Sequence, residues 1–302
     1  MISIDVTNTT IYALWGKCSS GKIDIQGMAQ KPLSGYVKSD GSSDRQGFAN
    51  DLKALLSPEI RDNNVTIQFS ESSVISSQYE FPYEKKPSSM MNIVRSGITQ
   101  NTQDHIMDYA ILNIYPKDGS RFCTVQVYLT PRRLVEFAYE AITIAGKKPC
   151  GFQVAENCLY NLQHTGDGFG YRNIILAGMG SARVNITLLT DIQRALTRSS
   201  PVMPEAEAFS KTLSGIYNKS AAISAASEQL SKMVQYQSIK EPSHPVDYIY
   251  IFGDYATEKA AQEISTALGT PVALLRTPDY ISAPNGFSFE KYVHAAGALI
   301  EK

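Results

Sequence analysis

Residues 2–15, ISIDVTNTTIYALW, consist of an apolar strand, a small polar turn and a second apolar strand. Residues 173–189, NIILAGMGSARVNITLL, repeat this order in the second half of the chain. A strand–turn–strand that opens each half predicts two related lobes whose turns point into a common cleft. Backbone N–H groups in turns rich in Gly, Ser, Thr and Asn form concave anion sites, so one interpretation is a shared ligand. The other interpretation is two ordinary β-hairpins.

Length and composition restrict the classes of protein to which the chain can belong. Its 302 residues suit two lobes better than one core, and no apolar run approaches the roughly 20 residues of a membrane span. The net charge of −1 argues against nucleic-acid binding and against a polybasic membrane patch. The first residues carry no secretory signal, and the four cysteines lack zinc-ligand spacing. A cytoplasmic protein with free thiols and without a metal site is predicted.

A compact α+β module is predicted over residues 82–154, between the two halves of a first lobe formed by residues 1–81 and 155–170. Residues 171–302 are predicted to form the second lobe, with a mainly helical part near 204–240. Within the module, we expect a short helix near 88–98, two strands, and a second helix. Thr130 and Pro131 are typical of the first positions of a helix, and Gly146 is typical of its end.

The two module strands alternate with period two, which predicts the face that receives the second helix. The residues expected on this helix-facing side are Ala110, Leu112, Ile114, Val125, Val127 and Leu129. The residues expected on the opposite side are Tyr109, Ile111, Tyr115, Phe122 and Tyr128. Such an aromatic and aliphatic patch either packs on the rest of the first lobe or binds a partner.

Four short motifs carry a resemblance to a known family. They are YLTPRRLVE at 128–136, AGKKP at 145–149 with Glu156-Asn157 after it, LGTPV at 268–272 and HAAGAL at 294–299. In this order they resemble PilM, the actin-like protein of type IV pilus assembly and a relative of the division protein FtsA. The resemblance implies a two-lobed α/β fold of the actin-like ATPase (ribonuclease H-like) type, with a small α+β module inserted in the first lobe.

The resemblance also implies where a nucleotide would bind. The matching positions are Asp5, Thr7, Asn8, Thr9, Thr10, Gly178, Gly180, Ser181, Gly253 and Asp254. Thr7 and Tyr12 replace the family's Gly and Lys, and Gly178 replaces its second Asp. Phe252 and Asp254 add side chains where the family keeps bare backbone. We therefore expect a degenerate site, at which ATP with Mg²⁺ is the only cofactor left open and at which no catalytic residue is assigned.

Other interpretations remain for several of these residues. Asp254 is also suited to cap a helix over 256–268, and Asp5 to close the first strand. The glycines of residues 166–170, GDGFG, predict a flexible loop between the lobes. His294, like the other histidines, shows no neighbour in sequence that suggests a dyad or a metal site, and it is predicted to be an ordinary packed or surface residue.

The leading functional hypothesis is a scaffold that is not an enzyme. PilM-like proteins hold the cytoplasmic N-terminal tail of the membrane protein PilN in a groove beside the inserted module. The resemblance implies a PilN-like partner, other proteins of the pilus, secretion or DNA-uptake platform, and a location at the inner face of the cell membrane. A homo-oligomer stays open. The alternatives are an actin-like-fold kinase or ATPase for a small metabolite, and an FtsA-like filament, which would usually carry an amphipathic C-terminal helix.

Overall fold

A computed structural model describes residues 1–35, 43–56, 60–70, 74–98, 103–181, 183–190, 196–202 and 219–300. The described chain divides into two compact units. The smaller unit contains the described residues of Ser72–Ala138, and the larger unit contains nearly all of the remainder. No helix within these described ranges is long and apolar enough to cross a membrane.

The larger unit begins with a six-stranded sheet of order β14-β3-β2-β1-β4-β8. Its strands are β1 (Ile2–Val6), β2 (Thr10–Ser19), β3 (Lys22–Pro32), β4 (Asn64–Phe69), β8 (Lys148–Phe152) and β14 (Ile281–Ser282). Strands β1, β2 and β3 run antiparallel, whereas β4 pairs with β1 and β8 pairs with β4 in parallel. Every residue of β1 is buried, because both faces of this central strand are covered.

A second sheet of the larger unit has the order β11-β10-β9-β12-β13. Its strands are β9 (Ile174–Met179), β10 (Arg183–Leu189), β11 (Leu196–Pro201), β12 (Tyr248–Phe252) and β13 (Val272–Leu274). The first three strands are antiparallel and the last two are added in parallel, as in the first sheet. The repeated hairpin pattern of the sequence therefore marks two sheets with the same strand order.

Helices of the larger unit cover these sheets and pack between them. They are α1 (Arg45–Leu55), α4 (Ala155–Gln163), α5 (Lys219–Lys240), α6 (Glu258–Leu268) and α7 (Phe289–Ala298), while α3 (Arg132–Ile144) belongs partly to each unit. Helix α7 packs against α4, against β1, β2 and β4, and against β12. A Cβ atom at Gly297 of α7 would lie 2.2 Å from the Cys158 carbonyl oxygen of α4, so this close approach requires glycine. The part of the predicted helical stretch at 204–218 lies outside the described residues.

The smaller unit contains a three-stranded antiparallel sheet of order β5-β7-β6 and one complete helix. Its elements are β5 (Ile75–Pro82), α2 (Pro87–Gly97), β6 (His105–Lys117) and β7 (Ser120–Pro131). Helix α2 covers one face of this sheet, with Met90 and Val94 packed among Val125, Val127 and their neighbours. The predicted role of the later helix in covering this face is therefore wrong.

The strand register also corrects the predicted division of the two faces. Tyr109 lies opposite Val127 and Ile111 opposite Val125, so both residues lie on the face that α2 covers. A bulge between Ile111 and Asn113 then shifts the alternation. The other face carries Tyr115, Phe122 and Tyr128. The five residues thus do not share one face, because the two strands pair one residue out of the assumed register.

Sheet membership differs from the predicted boundaries 82–154 at both ends. β5 pairs with β7 inside the smaller unit, whereas β8 pairs with β4 in the first sheet of the larger unit. Helix α3 begins at Arg132, after Thr130 and Pro131 have ended β7. Its end agrees with the sequence, since Gly146 has φ +82° and the Lys147 N–H bonds the Ile142 carbonyl.

Candidate functional site

The two hairpins of the larger unit line one small cavity of about 40 Å³. The first sheet contributes Asp5, Thr7, Tyr12 and Ser70, and the second contributes Gly178, Met179, Gly180, Arg183, Asn185, Phe252, Gly253 and Asp254. Helix α7 and its flank add Glu290, Lys291, Val293 and His294. Pockets that bind small molecules usually have about 300–1,000 Å³, so this cavity has room for water and not for a nucleotide.

The polar groups of the first hairpin turn form hydrogen bonds with one another. The Thr7 hydroxyl accepts from the Thr10 N–H at 3.0 Å and from the Thr9 N–H at 3.3 Å, and it donates to the Thr10 carbonyl at 3.0 Å. A glycine at this position would leave these N–H groups free for an anion. With threonine there, two donors that could hold a phosphate are already used.

In the other two turns, the glycine amides likewise bond to carbonyl groups of the protein. The Gly180 N–H bonds the Arg183 carbonyl at 3.0 Å across the second hairpin, and the Gly253 N–H bonds the Glu290 carbonyl at 2.8 Å. Gly253 has φ +98°, and a Cβ atom there would lie 2.9 Å from the Met179 carbonyl oxygen. Glycine is required for this turn, which follows from packing alone and needs no ligand.

Asp254 joins the two sheets directly. Its carboxylate accepts from the Tyr12 hydroxyl of β2, in a short hydrogen bond, and from the Thr9 hydroxyl at 3.3 Å. Burial raises the pKa of Asp254 above its ordinary value, although these two hydrogen bonds oppose the shift. Burial and the facing carboxylate likewise raise the pKa of Tyr12, so its hydroxyl remains a donor. The predicted helix-capping role of Asp254 is wrong, because Thr257 caps α6 through the Ala260 N–H.

A second polar cluster lies around Asp5, which is 3% exposed. Gln68 and Ser70 donate to one carboxylate oxygen, and His294 Nδ1 lies 3.3 Å from the other. The same Nδ1 also lies 2.9 Å from the Ser70 hydroxyl. These three residue types recur in hydrolases, where serine and aspartate contact different ring nitrogens. Here both contact one nitrogen, so the cluster cannot pass a proton from serine through the ring.

His294 also connects the sheets through its packing. Its ring meets the Phe252 ring edge-on, with centroids 5.2 Å apart. A Cβ atom at Gly178 would lie 3.0 Å from the Phe252 ring, so a carboxylate in place of Gly178 would collide with it. The Asn185 amide donates to the Ser70 carbonyl at 3.1 Å and adds another bond between the two sheets.

The structure brings together six of the ten positions inferred for nucleotide at this cavity. Asn8, Thr9, Thr10 and Ser181 do not line it, although Thr9 reaches Asp254. Sequence reasoning missed His294, because its partner Asp5 lies 289 positions away and no local pattern joins them. The alternative of Asp5 as a simple turn residue fails, since it lies inside β1.

The smaller unit presents a different kind of surface. β6 lies at the end of its sheet, and two of its large apolar side chains, Ile106 and Ile111, are 37% and 38% exposed. Ile106 lies opposite Thr130 and Ile111 opposite Val125, so these two side chains stand on opposite faces. Among the described residues, the strand thus combines an unpaired sheet edge with apolar side chains on both of its faces.

Comparison with solved structures identifies the fold. A chain of the structure described as the PilM-PilN type IV pilus biogenesis complex matches with a TM-score of 0.74, at 16% identity, over 99% of this chain and 97% of that chain. This chain has the actin-like fold of PilM. The fold expected from the four PilM-like motifs is confirmed. Neither a protein-family model nor the sequence of a curated protein matches the chain.

Two further solved structures give weaker matches to this PilM-like chain. The cytoplasmic domain of EpsL, an inner membrane component of the type II secretion system of Vibrio cholerae, has a TM-score of 0.48 at 10% identity, over 100% of this chain and 95% of that one. The ethanolamine utilization protein EutJ from Carboxydothermus hydrogenoformans has a TM-score of 0.49 at 14% identity, over 99% and 88%. TM-scores below 0.5 do not establish a shared fold.

Proposed function

We propose that this chain is a scaffold of a type IV pilus or related secretion platform and not an enzyme. The observation that carries the proposal is the filled cavity between the two hairpins. The chain has the actin-like fold, and Tyr12, Asp254, His294 and Phe252 line what remains of the space between the hairpins, where the resemblance to PilM implies a nucleotide. A protein with this fold but without a nucleotide site can still serve as a rigid body that binds other proteins.

The partner we propose is the cytoplasmic N-terminal tail of a PilN-like membrane protein. The likeness to a structure that contains PilM with PilN supports this choice. Through such a partner the protein would act at the cytoplasmic face of the membrane and would contact other platform proteins there. This role requires neither ATP nor a membrane-spanning segment.

The edge of β6 is the place where we expect the tail to bind. An extended tail can add to an unpaired edge through main-chain hydrogen bonds, and its alternate side chains can then cover Ile106 on one face and Ile111 on the other. Tyr115 and Phe122 face each other across β6 and β7, and Lys117 lies 5.2 Å over the Phe122 ring. These residues lie on the same face as Ile106, near the other end of β6.

Tyr109 is better explained as a core residue than as a partner contact. It packs against the cluster of α2, and its hydroxyl donates to the Pro87 carbonyl at 3.3 Å. Tyr128 is 4% exposed, so it offers little surface. Of the five residues inferred from the sequence, Ile111, Tyr115 and Phe122 remain candidates for contact with the tail.

The test is binding of a fluorescein-labelled tail peptide from the PilN-like protein of the same organism. The double variant Ile106→Asp/Ile111→Asp should lose binding by about a hundredfold, because two charges would enter the interface. Ile239→Asp is the matched control, since Ile239 is 73% exposed on α5 of the larger unit. Equal binding of the double variant and the control would show that the tail does not use β6.

The non-enzymatic part of the proposal has its own test. Calorimetry with ATP and Mg²⁺ should give no saturable heat with the wild-type protein. Gly178→Asp restores a carboxylate at the second hairpin and should not create binding, because Phe252 blocks it. Saturable micromolar binding of ATP by the wild-type protein would contradict a filled site and would favour the kinase or ATPase alternative.

A further inference from the structure

A second and much larger cavity of about 840 Å³ lies in the larger unit. This volume is within the range of sites that bind ligands. Tyr248 and Tyr250 of β12 and Ala273 of β13 form its floor, on the sheet face opposite α5 and α6. Walls come from the loop 166–170, the β2–β3 turn and residues 276–280.

Aromatic rings run along this cavity, which we call the tyrosine groove. Tyr248 and Tyr250 line it with ring centroids 4.8 Å apart. Tyr171 does not line the cavity but stacks on Tyr248, with centroids 5.0 Å apart and planes 11° apart. Phe169 continues the series 6.3 Å from Tyr250. Rings in a series can hold several successive side chains of a ligand. A compact ligand would cover only one of them.

The groove also contains a sheet edge that no other strand of the described ranges pairs with. β13 is the last strand of its sheet, and the Leu275 N–H bonds back to the Ile251 carbonyl at 2.9 Å. In a parallel ladder, alternate residues bond to the same neighbour, so the N–H and carbonyl of Leu274 point away from β12. Leu274 lines the groove. A main chain that enters the groove would find a donor and an acceptor there.

The charges of the groove favour a basic ligand. Its lining contains the carboxylates of Asp167, Glu258 and Asp279 and the cations Lys22 and Arg276. Arg276 is 3.1 Å from Glu258 and is paired with it. Within the described ranges, the side chains of Asp167 and Asp279 have no ion-pair or hydrogen-bond partner. The charges of the lining that are not paired with each other are thus two carboxylates and one lysine. This net negative charge disfavours phosphates and nucleic acids as ligands.

We propose that the tyrosine groove binds an extended peptide segment that carries Arg or Lys side chains. The peptide adds to β13 at Leu274, places alternate side chains on Tyr248 and Tyr250, and directs its cations to Asp167 and Asp279. This site is separate from the β6 edge and does not depend on the scaffold function proposed above.

The glycine loop fits this assignment. Gly166 has φ +55°, and a Cβ atom there would lie 2.8 Å from the Tyr280 ring. The Tyr280 hydroxyl donates to the Leu162 carbonyl at 2.7 Å, and the Tyr250 hydroxyl donates to the Phe169 carbonyl at 3.3 Å. These contacts fix the loop in place, so the groove exists before a ligand enters and the peptide need not order its wall.

The experiment measures fluorescence anisotropy of short labelled peptides with the full chain. The probe alternates valine and arginine. One counterpart replaces arginine by glutamate, and another carries N-methyl groups on alternate amides. We expect the valine–arginine peptide to bind and both counterparts to bind at least about tenfold more weakly. Absence of binding by the valine–arginine peptide, or equal binding by either counterpart, would overturn the proposal.

Variants then locate the site. Asp167→Asn/Asp279→Asn and Tyr248→Ala should each weaken the valine–arginine peptide by about tenfold, because the first removes charge and the second removes the floor. Both variants should keep the circular dichroism spectrum and the tail binding of the wild-type protein. The double variant Ile106→Asp/Ile111→Asp should bind this peptide normally. If it loses binding while the groove variants keep it, the peptide binds at β6 and the groove assignment is wrong.

Discussion

The larger unit contains two cavities that differ by a factor of about twenty, 40 Å³ between the hairpins and 840 Å³ in the tyrosine groove. The small one is filled by polar side chains that bond to each other across the two sheets, such as Tyr12 with Asp254. The large one has the neighbouring rings of Tyr248 and Tyr250 on its floor. The space between the two hairpins is nearly filled, whereas the groove leaves room for a ligand.

Helix α7 accounts for much of this difference. It contributes Glu290, Lys291, Val293 and His294 to the small cavity and no residue to the groove. α7 also approaches α4 closely at Gly297, at the other end of the helix from Glu290 and Lys291. A change at that point should therefore affect one cavity and leave the other.

Gly297→Ala should produce the largest effect. The new Cβ atom would lie 2.2 Å from the Cys158 carbonyl oxygen, a backbone atom that cannot move alone. We expect the free energy of unfolding to fall by about 3 kcal/mol, the upper end of the usual cost of overpacking. Urea denaturation measures this change.

Gly35→Ala is the matched control for this substitution, because a Cβ atom at Gly35 meets nothing within 4 Å. Gly297→Ala should still bind the valine–arginine peptide, since α7 contributes no residue to the groove lining. The substitution would then separate the small cavity from the groove. A Gly297→Ala protein as stable as the control would show that α4 and α7 are packed less tightly than the structure indicates.

Tyr12→Phe should have the next largest effect. It removes the donor that joins β2 to Asp254 and leaves this partly buried carboxylate with the Thr9 hydroxyl alone. Loss of a partner from a buried polar group costs about 1–3 kcal/mol. Thermal and urea denaturation should show this loss. Tyr171→Phe serves as the control, because this half-exposed hydroxyl donates to no described residue, and it should unfold like the wild-type protein.

Much of this organisation was predictable from the sequence. The repeated strand–turn–strand pattern predicted the two hairpins, since buried strands keep continuous apolar runs such as ISIDV. Gly146 was correctly expected at the end of α3, because a left-handed residue there favours glycine. Thr7, Gly178 and Phe252 were singled out from the sequence as departures from the family pattern, and the structure gives each of them a contact within the protein.

Contacts between distant parts of the chain were not predictable. Nothing near Asp5 or His294 indicates that they meet, and the bulge after Ile111 leaves no mark in an otherwise regular alternation. Asp254 was assigned to a helix cap by its distance in sequence, whereas Thr257 is the residue that reaches the first turn of α6. The groove was missed because GDGFG was interpreted as a flexible loop, and because no local pattern shows that Tyr248 and Tyr250 meet this loop.

The pH dependence of the free energy of unfolding should report on the small cavity, through Asp254. The folded pKa of Asp254 is raised, so the folded state holds this proton more tightly than the unfolded state. Its contribution is therefore full below the unfolded value of about 4 and is lost as pH rises through the raised folded value. The urea midpoint of the wild-type protein should therefore decline as the pH rises from its acidic value. Asp254→Asn should make this decline less steep. An unchanged slope would mean that another group causes it.

The smallest effect should come from titration of two tyrosines, buried Tyr12 in the small cavity and partly buried Tyr250 in the groove. Burial raises the pKa of Tyr250 to about 12, with Tyr171 and Tyr248 adding to the shift. Burial and Asp254 raise the pKa of Tyr12 further, so its hydroxyl should stay protonated until the protein unfolds. The phenolate absorbance of the wild-type protein minus that of Tyr250→Phe should therefore give a transition near 12. The same difference with Tyr12→Phe should coincide with alkaline unfolding.

The valine–arginine peptide sharpens this measurement. A peptide lying on Tyr250 removes it further from water, so the Tyr250 transition should move upward when the groove is occupied. The transition of Tyr12 should not respond, because Tyr12 lines the small cavity and not the groove. A Tyr250 transition at the ordinary value of about 10, with or without peptide, would mean that the ring is open to water and that the groove floor is not the packed aromatic surface described here.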